Sequence, residues 1–251
     1  MFKVEVPTVL SPARGGLLPI ANVITEDADT AAYHGVRYDG VPCGQSRPVP
    51  AEGVEKTFDT VPQIEGVEFG IYRGIDDPLL LGADTAGMAR DLFGSGESHA
   101  VETAIQKLLL NPEAVDLTPT PGTPVTNAKA ALGILEQYAA ERYTGLPLLH
   151  ADRYITALME ELQVDDSTWK LHTQQGTPLA NGGGYTKTGP GGVEAPAGAG
   201  WLYISGQVNI WQGTVNVIEA AGLRENRNYA LAEAAYAATV ECFVAALLVG
   251  I

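Results

Sequence analysis

Leu132-Gly-Ile-Leu-Glu-Gln-Tyr138, Gly145-Leu-Pro-Leu-Leu-His-Ala-Asp152, Gly176-Thr-Pro-Leu-Ala-Asn-Gly-Gly-Gly-Tyr185 and Trp201-Leu-Tyr-Ile-Ser-Gly206 carry the reading of residues 132–217. The first lies in a helix predicted over 127–142, with Ala131, Leu132, Leu135, Tyr138 and Ala139 on one face. The apolar run 146–150 predicts a strand buried on both faces, although Pro147 restricts its pairing on one side. Residues 151–162 read as a third helix. From Trp169 onward the chain reads as β-rich, with strands at 169–172, 177–180, 201–205, 208–211 and 214–217. Gln212-Gly213 reads as a hairpin turn. The glycine-rich stretch 182–200 reads as a mobile surface loop.

Outward from this block, residues 1–65 read as irregular and extended, because prolines at 7, 12, 19, 42, 48, 50 and 62 disfavour helix. A structureless arm of that length makes sense if it lies on a neighbouring subunit. Residues 64–72 partly alternate apolar and polar and read as a strand. The strongest helical periodicity covers 85–110, with Asp84 as its N-cap and Asn111-Pro112 as its stop. Gly94 and Gly96 cost roughly 1 kcal/mol each against Ala, so a kink or break is expected there. Residues 119–124 are a turn-rich linker. Residues 229–249 read as a mixed segment: the alanines favour helix, and the end from Thr239 is apolar enough for a buried strand. There is no internal repeat of fixed period.

The net charge of −15 is spread along the 251 residues, with 18 acids against 8 bases in residues 1–125 and 12 against 7 in the remainder. An acidic surface repels phosphate backbones and anionic membranes, so specific nucleic-acid binding and membrane association are not expected. Hydrophobic content of 45% supports a sizeable core. No signal peptide is read at the first residues, and the most apolar segment, 242–251, is too short to span a bilayer. Cys43 and Cys242 lack CxxC spacing. They read as reduced, with Cys242 a small core residue, and nothing local supports a bridge between them.

Candidate chemistry is sparse. Gly96-Glu97-Ser98-His99-Ala100 resembles a nucleophile elbow, but it lies in a helical pattern with no strand before it. Thr186-Lys-Thr-Gly189 lacks the Gly-Lys-Ser/Thr of a phosphate loop. Glu26, Asp27 and Asp29 lack calcium-loop spacing and read as a solvated acidic turn. Asp76-Asp77 and Asp165-Asp166 read as loop and cap residues. His34, His99, His150 and His172 are scattered without metal-binding spacing, and His150 reads as a helix cap or backbone partner. Trp169, Trp201 and Trp211 read as packing residues. No catalytic residue, cofactor or metal is expected. A hydrolase using Ser98 with a distant histidine is the rival reading from another class.

The order of elements, with residues 145–152, 176–185, 201–206 and 226–235, resembles the Hong Kong 97-type major capsid protein of tailed phages, actinobacterial phages in particular, a fold shared with encapsulins. The resemblance covers nearly the whole chain. It implies an α+β capsid fold: N-terminal arm 1–40; E-loop region 41–75; a P-domain with a long spine helix at 76–125, completed by 207–240; and an A-domain with a mixed sheet flanked by helices at 126–206, completed by 241–251. It implies a structural protein and no enzyme, made in the host cytoplasm and assembling with copies of itself into the hexamers and pentamers of an icosahedral head around double-stranded DNA. Scaffold, portal and decoration proteins are its further candidate partners. Lys56, Asp59, Arg73, Glu97, Glu102 and Lys187 are the expected subunit-interface residues. Lys56 lies where family members cross-link, but no partner Asn is identifiable and no cross-link is expected. The rivals are an encapsulin-type shell and a minor virion protein of the penton or tail.

Overall fold

The computed structural model describes residues 15–50, 54–78, 84–160, 162–165, 168, 170–222 and 224–250. The readings made above for residues 1–14, Trp169 and Asp166 lie outside them. The elements in chain order are β1 (Asn22–Ile24), α1 (Ala28–His34), β2 (Arg37–Asp39), β3 (Gln63–Glu65), β4 (Val67–Pro78) and α2 (Thr85–Ile105), which runs through one π-helical turn (Gln106–Leu110) into α3 (Asn111–Glu113). Then come β5 (Val115–Asp116), α4 (Ala128–Arg142), β6 (Leu148–Ala151), α5 (Arg153–Thr156), β7 (Gln163–Val164), β8 (Leu171–His172) and β9 (Pro178–Ala180). The last strands are β10 (Ala199–Ser205), β11 (Val208–Gln212), β12 (Asn216–Gly222), β13 (Arg227–Val240) and β14 (Val244–Gly250).

Two sheets carry the molecule. The seven-stranded sheet has the order β5-β14-β10-β6-β9-β8-β7. Its centre is apolar in unbroken runs because both faces are covered. Successive side chains of a strand point to opposite faces. Leu202 and Ile204 of β10, with Ala245, Leu247 and Val249 of β14, therefore meet Ala131, Leu132 and Leu135 of α4. Trp201 and Tyr203, with Val244, Ala246 and Leu248, join the other core, where Ile105, Leu109 and Leu110 end the long helix.

The second sheet is built on β13. β4 pairs along one of its edges, from Ala238↔Val67 to Arg227↔Pro78. β11 and β12 lie end to end along the other. Ala230, Ala232, Ala234 and Ala238 alternate along β13 into the core that includes Ala89 and Phe93 of α2. The small side chains let the helix lie close to the sheet, and Tyr236 stacks on Phe69 at 5.4 Å between ring centroids.

Several expectations are corrected. Residues 229–249 contain no helix: alanine's helix preference loses to the edges that β4, β11 and β12 offer β13. Gln212-Gly213 does not close a hairpin, because β11 and β12 both pair with β13. The Gly213 amide donates to Ala235 O and the Asp29 carboxylate accepts from Thr214 N at 2.7 Å, which carries the chain straight on. The described residues of 151–162 hold the single turn α5, after which Leu158 N and Met159 N bond three residues back and the helix stops. Helix α1 was missed within 1–65; none of the prolines there falls between 20 and 41. The helix at 85–110 is present with its Asp84 cap at 2.8 Å, but Gly94 and Gly96 do not break it. The irregular turn comes later, at Gln106. Asp76 and Asp77 stand in β4, with Asp76 accepting from Arg227 at 2.8 Å.

Ile204 is completely buried at the middle of the larger sheet. Ile204→Ala should cost about 3 kcal/mol by chemical denaturation, whereas Ile218→Ala, on the exposed face of β12, should stay within roughly 0.5 kcal/mol.

Candidate functional site

Two regions concentrate polar chemistry: a buried clamp on α2 and the loop 40–62 that leaves the β2–β3 pair. Glu102 and Gln106 stand four residues apart on one helix face, and both are buried. The Glu102 carboxylate accepts from Leu17 N at 2.9 Å, Gly184 N at 2.9 Å and Ser98 Oγ at 3.2 Å. An unpaired buried carboxylate costs several kcal/mol. Hydrogen bonds to a charged group return roughly 1.5–3 kcal/mol each, and the three here offset part of that cost. Gln106 Nε2 donates to Thr186 O and Thr188 O, and its Oε1 accepts from Thr186 N at 2.7 Å.

The clamp overturns the reading of 182–200 as a mobile loop. Its first half is gripped by α2, and Trp201 Nε1 donates to Val193 O at 3.1 Å in its second half. Glycine is required at 184 by proximity: a Cβ there would lie 2.1 Å from His99 O. Glu102, expected at a subunit interface, is fully buried, and its hydrogen bonds are those of the clamp. Glu97 is half-buried and accepts from Tyr236 OH at 2.5 Å and from Gln212 Nε2, which ties α2 to β13 and β11. Lys187 is half-buried, with its ammonium over the Tyr154 ring at 4.3 Å.

Beside the clamp lies a nucleophile–base contact that the sequence did not disclose, because its members are 55 residues apart. His150 Nε2 and Ser205 Oγ are 2.9 Å apart, and His150 Nδ1 lies 2.9 Å from Tyr185 OH. Ser205 donates to Gly206 O at 2.9 Å. Its oxygen therefore accepts from Nε2–H, and Nδ1 accepts from Tyr185. His150 thus bonds to side chains, and the cap of α5 is Asp152, accepting from Ile155 N at 2.8 Å. His150 and Ser205 are both at 0% exposure, so no substrate reaches them in this arrangement. Ser98 spends its hydroxyl on Glu102 in mid-helix, as the elbow geometry forbids. Among the described residues no group of acids, His and Cys is placed to hold a metal ion, and no helix is long and apolar enough to cross a membrane.

The loop 40–62 is the opposite of the clamp. Arg47 pairs with Asp59 and donates to Thr57 Oγ1 at 2.5 Å, so the Asp59 charge is used within the loop. Gln45 Nε2 reaches Ala140 O at 2.8 Å and Tyr143 O at 3.2 Å. Two of its described apolar residues are turned to solvent: Phe58 is 90% exposed and Val49 81%. Lys56 is exposed on the concave side with Arg47 and Val54, and Arg73 is exposed on β4. Among the described residues neither cation has a carboxylate within ion-pair distance. The cysteine reading is corrected as well. Cys43, at the loop base, is disulfide-bonded to Cys242, which is exposed in the turn between β13 and β14 rather than buried in the core.

No protein-family model and no curated protein sequence matches the chain. Its fold is that of solved phage-capsid structures. The capsid of a native GTA particle matches 100% of this chain and 96% of its own, with a TM-score of 0.62 at 12% identity. The capsid of Ralstonia phage GP4 matches 100% and 96%, at 0.60 and 8%. The structure titled Mycobacterium phage Che8 matches 98% and 96%, at 0.57 and 11%.

The buried acid and histidine titrate with opposite signs. Burial holds His150 down at about 3, against an ordinary 6.5. The unfolded chain therefore takes up this proton first; the stabilisation is complete above pH 6.5 and drains away as pH falls toward 3. Burial raises Glu102, against the pull of its donors, so its contribution is complete below 4.5 and declines as pH rises through the raised value. Thermal midpoints should fall between pH 6.5 and 3. His150→Gln, which keeps a donor and an acceptor, should flatten that slope; an unchanged slope removes His150 as its cause. Glu102→Gln turns an amide NH2 toward one of its donors and should cost about 2 kcal/mol at neutral pH by denaturant titration.

Proposed function

We propose that this chain is a structural subunit of an icosahedral phage head, which assembles into hexamers and pentamers that enclose double-stranded DNA. The single observation that carries the reading is the full-length match to capsid structures, in which almost nothing of either chain is left over. In this reading residues 1–40 are the arm, 41–75 the E-loop region, 76–125 with 207–240 the P-domain around the spine helix α2, and 126–206 with 241–251 the A-domain.

The free surface supports it. A loop with Phe58 and Val49 turned to solvent has no reason to persist in a monomer; a neighbouring copy would cover it. The residues proposed for subunit contacts are Lys56, Asp59, Arg73, Glu97, Glu102 and Lys187; Lys56, Asp59 and Arg73 are exposed, Glu97 and Lys187 are half-buried, and the buried Glu102 would act through its neighbours. Shell contacts repeat by symmetry, so each can be modest while the assembly is stable. A net charge of −15 keeps free subunits soluble and an inner wall from adhering to packaged DNA. Assembly and maturation are the mechanism, without turnover, and the subunit is no enzyme.

Negative-stain electron microscopy with sedimentation tests this directly. Closed shells or hexamer and pentamer capsomers are expected. A uniform monomer or dimer, with scaffold supplied, overturns the reading. Arg73→Glu should abolish or sharply reduce shells while the far-ultraviolet spectrum and melting midpoint stay unchanged, and normal shells from that variant would remove Arg73 from the interface.

A further inference from the structure

The disulfide joins residues 199 apart in sequence and ties the base of the 40–62 loop to the turn between β13 and β14. The Cα atoms are 5.5 Å apart, a separation a disulfide spans without backbone movement. Its two ends differ in setting. Cys43 is half-buried, and Cys242 is exposed. Cys242 has φ of 68°, a left-handed conformation that residues other than glycine adopt only when their surroundings hold them there. The turn is closed by Phe243 N donating to Glu241 O at 2.7 Å, which presents the cysteine outward at its apex.

Among its described residues, 40–50 and 54–62, little else fixes the loop. Beyond the short β2–β3 pairing, its described side-chain bonds to the body are those of Gln45 to Ala140 O and Tyr143 O. Arg47 with Asp59 and Thr57 stiffens the loop internally but does not anchor it. The sulfur bridge is therefore the covalent constraint that sets how the loop, with its exposed Phe58 and Val49, stands relative to the rest of the chain.

We infer that Cys43 and Cys242 form a reversible thiol–disulfide latch, which locks the 40–62 loop against the β13–β14 turn on oxidation and releases it on reduction. The oxidant is a small-molecule disulfide such as oxidised glutathione. The exposed Cys242 thiolate attacks it, forming a mixed disulfide and expelling one glutathione thiolate. The Cys43 thiolate then attacks Cys242 Sγ and expels the second. Two thiols lose two electrons and two protons, and one oxidised glutathione becomes two reduced molecules. Dithiothreitol runs the sequence backwards, and an accessible disulfide in a thiol-reducing medium is opened the same way. The latch rests on the geometry of the single chain, so it stands or falls separately from the shell reading.

The test uses the full chain, equilibrated in oxidised glutathione or in dithiothreitol. N-ethylmaleimide followed by intact mass should add no label to the oxidised form and two to the reduced form. Lys56–Thr57 is the trypsin-sensitive bond of the loop, since Arg47 precedes Pro48. Reduction should speed its cleavage about tenfold, with the circular dichroism spectrum unchanged. Cys43→Ser should match the reduced rate in both buffers. Two labels under oxidising conditions would overturn the latch, as would equal cleavage rates in both buffers. Loss of the folded spectrum on reduction would also overturn it, making the bond a staple of the whole fold rather than a switch on one loop.

Discussion

The buried carboxylate of Glu102 is the constraint on which the rest of the structure depends. It gathers the chain near Leu17, the middle of α2 and the glycine turn at Gly184 around one side chain. Such a group is unfavourable in a core unless every acceptor site is used, so it tolerates only one arrangement of its neighbours. Gln106, one turn on, repeats the device with amide donors and acceptors. Together they convert a stretch whose composition is that of a free loop into part of the packed body. The bare glycines serve proximity there more than flexibility, since the α2 backbone and carboxylate occupy the space a Cβ would need.

With that junction in place, the two sheets share one helix. β13 approaches α2 through alanines, and the inner face of β10 and β14 receives its end at Leu109 and Leu110. α4 closes the opposite face of the larger sheet through Leu132 and Leu135. The larger sheet is consequently wrapped on both sides, which accounts for β10 and β14 being buried at every position.

Legibility in the sequence followed local signals. α2 and α4 were readable because their periodicity, and for α2 its Asp84 cap, are local to the elements themselves. The strands at Leu148 and Trp201 were readable as apolar runs. What failed depended on partners remote in sequence. The alanines of β13 were ambiguous because the reason for their smallness is a helix more than a hundred residues earlier. Gly213 looked like a turn because the strand that both its neighbours pair with comes later. Of the expected site residues, Lys56 and Arg73 are exposed, whereas Glu97 and Glu102 also make contacts invisible in a linear pattern. The disulfide was unreadable for the same reason: no local spacing announces a bridge across 199 residues.

The distribution of reactive groups bears on what kind of work the chain does. Catalysis requires polar groups that are held and yet reachable. Among the described residues, His150 and Ser205 are held but have no exposed surface, the buried Glu102 accepts three hydrogen bonds, and Ser98 is occupied by Glu102. The reachable groups are the reverse. Phe58, Val49, Lys56 and Arg73 are exposed, and the two cations lack a described ion-pair partner. Apolar and cationic groups exposed at the rim lower their free energy by contact with another surface. Exposed apolar and cationic edges on a packed body suit a building unit, because a rigid body must deliver its edges in a fixed geometry for many copies to close on one another.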